Sequence, residues 1–205
     1  IGSVRNSGMD LMINARPVTT NDFSWSSTVN LNYNKNKILH LGENDEDIEM
    51  NWWVGGSESI LRVGENMSAF YGYRRLGVYT QEDYNNGLCE LNQVGRAKRT
   101  DKKEIIGKGM PDWTGSWINN FSYKNWNLSF MFIAKLGHKY RKDVFQGSNI
   151  NSRHVAERWQ KAGDEATKIY PVLKSWNMDM FYFPFCDINI GNASYAKLRD
   201  LTLTY

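Results

Sequence analysis

The chain has 205 residues, enough for one domain with a real core, and 14% of them are aromatic while proline is scarce. Its formal net charge of +3 is too weak to argue for nucleic acid. No run approaches the ~18 apolar residues of a membrane helix, which excludes a helical membrane protein and leaves a barrel open, because barrel strands never make such runs.

In chain order, Gly8 to Arg16 reads as a first strand, with Met9, Leu11, Ile13 and Ala15 on one face and Met12 out of pattern. Pro17 to Asp22 reads as a turn. Phe23 to Asn34 is the most regular stretch: Phe23, Trp25, Val29, Leu31 and Tyr33 share one parity, and Ser24, Ser26, Thr28, Asn30, Asn32 and Asn34 hold the other. One face is apolar with aromatics at both ends; the other is uncharged hydroxyl and amide. From Lys35 to Pro111 alternation weakens and the chain reads as loop, with a local strand at Ala69 to Tyr79, an acidic run from Glu43 to Glu49 and a basic run from Arg96 to Lys103. Trp113 to Tyr123 and Asn127 to Gly137 read as a hairpin around a tight turn at 124–126, the first of the pair marred by Asn119 on its apolar face and Ile118 on its polar one. His138 to Gly191 reads as a second long loop, with a short helix over 155–162 ended by Gly163, and 193–205 as the last strand.

Short joins (17–22 and 124–126) alternate with long ones (35–112 and 138–191), as in outer-membrane barrels with short periplasmic turns and long outer loops. A soluble sandwich has no reason to sort its loops so. The fold class expected is all-β: an antiparallel up-and-down transmembrane β-barrel segment of about five long strands. No signal peptide opens the chain, and both ends read as cut from a longer protein.

Catalytic chemistry finds no motif. His40, His138 and His154 lack ligand spacing, and there is no Gly-x-Ser-x-Gly, phosphate loop or dinucleotide fingerprint. The acidic run lacks the spacing of a calcium loop, so a solvated loop is expected there. Cys89 and Cys186 have no metal-site spacing; they read as inert, with a disulfide the alternative outside the cytoplasm. No enzyme activity, cofactor or metal is expected.

The order Arg5-Asn-Ser-Gly-Met-Asp-Leu11, Asp22-Phe-Ser-Trp25, Asn34-Lys-Asn-Lys-Ile38, Val63 to Tyr73, Ile106-Gly-Lys-Gly-Met-Pro-Asp-Trp113, Phe121 to Ser129, Arg158-Trp159, Tyr170-Pro171 and Ser194 to Tyr205 resembles the C-terminal barrel region of SusC/RagA-type TonB-linked outer-membrane transporters. The resemblance covers essentially the whole chain. It implies a plugged barrel of roughly twenty-two strands in the bacterial outer membrane. It implies TonB-energised import of oligosaccharides or peptides beneath a SusD-like lipoprotein, with plug and terminal strands outside this chain. One departure is that Asn92 to Asp101 is too basic for the cation-binding stretch often found there, so no metal is carried over.

Within that frame Trp52 and Trp53 are candidates for stacking on a sugar or docking a lid, the alternative being packing against the barrel rim. Lys139, Arg141 and Lys142 follow the top of a strand and either meet lipopolysaccharide phosphates or are solvated. Strict parity puts Lys197 and Arg199 on the outward face with Leu201 and Leu203, and hence in the same lipopolysaccharide belt. The rival readings are a soluble all-β carbohydrate-binding or adhesion module, which must bury the Phe23/Trp25/Val29/Leu31 face, and a non-transporting structural barrel.

Overall fold

The structure is a computed structural model that describes residues 2–50, 59–142, 155–172 and 182–205. Two long strands open it, β1 (Ser3–Thr19) and β2 (Phe23–His40). Six short ones follow: β3 (Ile48–Met50), β4 (Ser59–Leu61), β5 (Ala69–Gly72), β6 (Arg75–Val78), β7 (Ala97–Arg99) and β8 (Glu104–Lys108). A five-residue helix, α1 (Gln81–Asn85), interrupts them. Then come β9 (Trp113–Tyr123), β10 (Trp126–Leu136), β11 (Lys139–Arg141), β12 (Ile190–Asn192) and β13 (Tyr195–Thr204).

The five long strands form one antiparallel sheet in the order β1-β2-β9-β10-β13, each beside its predecessor among the long strands. Phe23 lies opposite Tyr123, so the two short turns share one end of the sheet, and the Lys124 N–H donates to the Asp22 carbonyl at 2.8 Å. Lys124 takes φ +53°, the left-handed conformation that a two-residue hairpin loop demands. Both long connections leave from the other end. The expected strands are all present, but β1 and β2 run further than alternation indicates. Ser3–Ser7 pairs with Lys35–His40, and β1 continues through Pro17 by a bulge that sets Arg16 and Pro17 against Ser26. A bulge is where a sheet tolerates proline.

The long connections are folded rather than loose. β3, β4, β5 and β8 make a second sheet, and β6 pairs β7 and β11 pairs β12 in two small ribbons. The expected single strand at 69–79 is two, β5 and β6, which take different partners. The expected helix over 155–162 is not formed past residue 156: Arg158 bridges Tyr170, and the Trp159 N–H donates to the Tyr170 carbonyl. Gly163, at φ +96°, leads into a 3-10 turn at Asp164–Ala166 instead of closing a helix. Its acids explain the break, since Asp164 accepts the N–H groups of Gln160 and Lys161, and Glu165 accepts those of Gly163 and the Trp159 indole.

Buried apolar side chains concentrate in this folded region. Among the described residues they are Ile60, Ala69, Tyr71, Tyr73, Val78, Ile106, Phe183, Phe185, Cys186, Leu41 and, from the long strands, Ile38 alone. Gly72 is needed where β5 passes the 183–185 turn, because a Cβ there would stand 2.0 Å from the Phe185 carbonyl oxygen.

Candidate transport surface

One face of the large sheet is apolar and uncovered. Register places Trp25, Val29, Leu31 and Tyr33 beside Phe121, Trp117, Gly115 and Trp113, then Leu128, Phe132, Ala134 and Leu136, then Leu203, Leu198 and Ala196. Met9, Leu11 and Ile13 extend the face onto β1. Leu201, Leu203, Trp117, Phe132, Leu11 and Ile13 are all more than a third exposed. Aromatic pairs mark both ends, with Tyr33–Trp113 and Trp126–Tyr205 each at 4.7 Å between ring centroids. β9 has 11 residues from Trp113 to Tyr123. Ten steps of about 3.3 Å, at a tilt of about 40°, give a band about 25 Å tall, the height of the apolar belt of an outer-membrane barrel.

Two polar side chains interrupt that face, and each has a function. Ser27 and Asn119 lie opposite one another. Trp117 Nε1 donates to Ser27 Oγ at 2.9 Å, and Trp25 Nε1 donates to Asn119 Oδ1 at 3.0 Å. Asn119 itself is fully buried beneath its neighbours. An indole N–H has no partner in hydrocarbon, so the sheet supplies acceptors of its own. Asn119 thus fits the apolar face because Trp25 needs it.

The opposite face is a lattice of side-chain hydrogen bonds, mostly between neutral groups, with Asp10, Lys135, Lys197 and Arg199 on the same side. Thr28 Oγ1 donates to Asn14 Oδ1 at 2.8 Å, Asn30 Nδ2 to Ser116 Oγ at 3.0 Å, Asn36 Nδ2 to Asn6 Oδ1 at 2.8 Å, and Ser122 Oγ to Asn127 Oδ1 at 2.7 Å. Asn32 Nδ2 reaches Asp10 Oδ1 at 2.5 Å. Amides held this way offer a surface of fixed geometry that can hydrogen-bond water or hydroxyls.

The folded connections lie over the upper end of this polar face. Asn36 and Ile38, which share the parity of Asn30 and Asn32, are 7% and 1% exposed, and the Met67 N–H donates to Asn36 Oδ1 at 2.9 Å. The acidic run is bound into this roof by partners: Asp45 accepts the Leu41 N–H and faces His40, Asp47 pairs with Arg62, and Glu49 with Lys103. The Leu41 N–H and then the His40 ring hold the Asp45 carboxyl below the usual range.

No family model matches the chain. Individual proteins do, over its entire length. TonB-dependent receptor P26 of Formosa agariphila is 34% identical over 224 residues. Receptor P3 of the same organism is 26% identical over 226 residues, and SusC of Bacteroides thetaiotaomicron 27% over 217. The chain spans only 21–22% of the length of these three. Among solved structures, the RagAB peptide importer in its "closed-closed" and "open-open" states superposes on the whole chain with TM-scores of 0.73 and 0.72, at 20% and 19% identity, covering 23% and 22% of that chain. Over its whole length the chain is similar to TonB-dependent receptors of the SusC/RagA kind. Its place is the bacterial outer membrane, and its relatives are receptors and transporters, not enzymes.

In this SusC-like sheet and its connections the residues singled out from sequence fall in different places. Trp52 and Trp53 lie outside the described residues. Lys139 and Lys142 are built into the roof: Lys139 Nζ donates to the Ile106 carbonyl at 3.5 Å and Lys142 Nζ to the Ile188 carbonyl at 3.2 Å. Lys197 and Arg199 do not share the face of Leu201 and Leu203. β13 bulges between Leu198, opposite Phe132, and Asp200, opposite Met131. Lys197 therefore sits opposite Ile133 on the polar side, and Arg199 lines a hollow of about 400 Å³ with Asn30, Asn32, Thr114, Ser116 and Lys135. A bulge adds one residue and resets the alternation beyond it. The signal was present in the sequence, because Leu198 and Leu201 stand three apart and share a face only across such an insertion. Cys89 and Cys186 are both free thiols.

Proposed function

We propose that this chain forms part of the wall and outer loops of a TonB-energised importer of the outer membrane. The apolar face of the five-stranded sheet meets lipid and the Ser/Thr/Asn face lines the interior. The turns at 20–22 and 124–125 lie at the periplasmic end, and the connections 35–112 and 138–191 at the cell surface. The cargo class is oligosaccharide, with peptide the second reading because the neighbouring solved structure is a peptide importer. Trp52 and Trp53 belong to this reading as loop contacts for cargo or for a SusD-like lipoprotein lid. TonB engages the part of the protein beyond this chain.

The observation that carries the reading is the uncovered apolar face. It has the height of the apolar belt of an outer-membrane barrel, aromatic ends and internally satisfied tryptophans, and it runs across all five long strands. A soluble carbohydrate-binding module would pack that face. The test is membrane fractionation of the full-length protein with protease added to intact cells. Recovery in the outer membrane with cleavage in 35–112 or 138–191 is the expected result. Recovery in the soluble fraction, or cleavage only after the cells are opened, overturns it.

A further inference from the structure

The basic-aromatic pocket of the roof has no role in the wall. It holds about 260 Å³ between Tyr79, Gln93, Arg96, Arg99, Asp101 and Tyr182. β7 positions it. Its alternation sends Lys98 to one side, where Lys98 Nζ pairs with Asp83 at 3.0 Å, and Arg99 to the other. The Tyr79 N–H donates to the Arg96 carbonyl and the Gly95 N–H to the Tyr79 carbonyl, so the rim is fixed through the backbone.

Arg99 is the decisive residue. Its guanidinium carbon stands 3.9 Å from the Tyr73 centroid and 4.2 Å from that of Tyr182, in the corner made by two rings that meet edge to face, and Nη1 donates to the Thr100 carbonyl at 2.9 Å. Several cations of the roof are paired with carboxylates: Arg62 with Asp47, Arg74 with Glu104 and Asp187, Lys103 with Glu49, Lys108 with Asp112; Arg75, opposite Arg99 on β6, turns to the Lys168 carbonyl instead. Arg99 has ring faces and a carbonyl and, among the described residues, no ion pair, although the Asp101 carboxylate lines the same pocket. A guanidinium held by two ring contacts and one carbonyl keeps its remaining N–H groups available to a planar oxyanion. The larger hollow beside it, about 720 Å³ around Arg74, Lys108 and Lys139, is different, because those three cations already bond to Glu104, Asp112 and the Ile106 carbonyl.

We propose that this pocket recognises the carboxylate of an acidic sugar unit in the cargo, with Arg99 as the anchor, Tyr79 and Tyr182 as walls and Gln93 facing the ring hydroxyls. The inference rests on the import reading and names its substrate class. A volume near 260 Å³ suits one pyranose ring, and tyrosine rings with an amide are the side chains that hold a sugar's apolar face and its hydroxyls.

The test is calorimetry on the full-length protein in detergent, using four probes: a uronic-acid trisaccharide, its methyl ester, a tripeptide with a free C-terminal carboxylate, and the same peptide amidated. The uronate should bind about 10- to 100-fold more tightly than its ester, the range of a charge-assisted hydrogen bond. Arg99→Gln should abolish that preference while leaving the ester's affinity within about twofold, and Arg99→Lys should keep part of it; a thermal melt confirms that each variant is folded. Equal binding of acid and ester, no binding of any probe, or equal loss of both in Arg99→Gln overturns the proposal. A preference for the peptide acid over the uronate overturns the sugar assignment. Each of these results leaves the outer-membrane reading standing if fractionation has placed the protein there.

Discussion

Phe132→Arg is the sharpest probe of which face meets lipid. Phe132 stands six residues above Trp126 and four below Leu136, near the middle of the apolar band, stacked on Trp117 at 6.2 Å between centroids. An arginine near the bilayer midplane costs about 2–4 kcal/mol. Loss of the aromatic pair adds about 0.5–1.5 kcal/mol. The first term alone shifts the folded-to-unfolded ratio about 30- to 700-fold. The control is Asn30→Arg on the opposite face at similar height. It gives up one neutral hydrogen bond to Ser116 Oγ, about 1 kcal/mol, and places its charge on the polar side, in the hollow that Lys135 and Arg199 also line. The assay is urea-dependent folding of the full-length protein into lipid vesicles, followed by tryptophan fluorescence and by gel mobility of the unheated sample. Phe132→Arg should lower stability by at least about 1.5 kcal/mol more than Asn30→Arg. Equal losses, or a larger one for Asn30→Arg, refute the assignment of faces.

Three further outcomes are expected. In a double-mutant cycle, Trp25→Phe and Asn119→Leu should couple by about 0.6–2 kcal/mol, the range for hydrogen bonds within membranes, whereas additive losses would mean that the indole has another acceptor. The Asp83 carboxyl is held below its ordinary value of 3.8 by the Thr80 N–H first and Lys98 second. Its contribution is therefore present above that value and is lost as pH falls through the lower folded-state value, so amide protection of 80–98 should hold from pH 7 to 5 and collapse only below about 3.8. Asp83→Asn should remove that step, and a collapse already at pH 5 would contradict the cap. Finally, Cys89 should alkylate slowly at pH 8, because burial and then the Asp83 charge push its thiol up, and the fully buried Cys186 should react only on unfolding; equal labelling of both would refute this burial.

The long strands were legible because lipid and water write a two-residue period onto them. Phe23 to Tyr33 carries it with one exception, Ser27, and the pairing of Trp25 with Phe121 and of Tyr33 with Trp113 follows. What escaped was whatever departs from that period or is too short to have one. β1 and β2 continue past their alternating cores because Ser3–Ser7 and Lys35–His40 pair with each other, which no local pattern announces. β3, β4 and β7 have three residues each, and the core around Ile60, Ala69 and Tyr71 is assembled by partners far apart in sequence, as where Tyr73 donates to Phe185. Asn119 looked like a flaw because its partner, Trp25, is 94 residues away. The pocket around Arg99 was hidden inside a basic run in which Lys98 and Lys103 are paired with Asp83 and Glu49.

The bulge in β13 also sets where this strand can lose a residue in evolution. Arg199 is supernumerary in the pairing: Leu198 and Asp200 already meet consecutive residues, Phe132 and Met131. Deleting Arg199 would join two halves that are in phase, and every remaining side chain would keep its side of the membrane wall. Deleting a neighbour such as Lys197 or Leu203 would turn one half of the strand inside out. Length variation among relatives should therefore collect at this position, where strand length and side-chain facing are independent of each other.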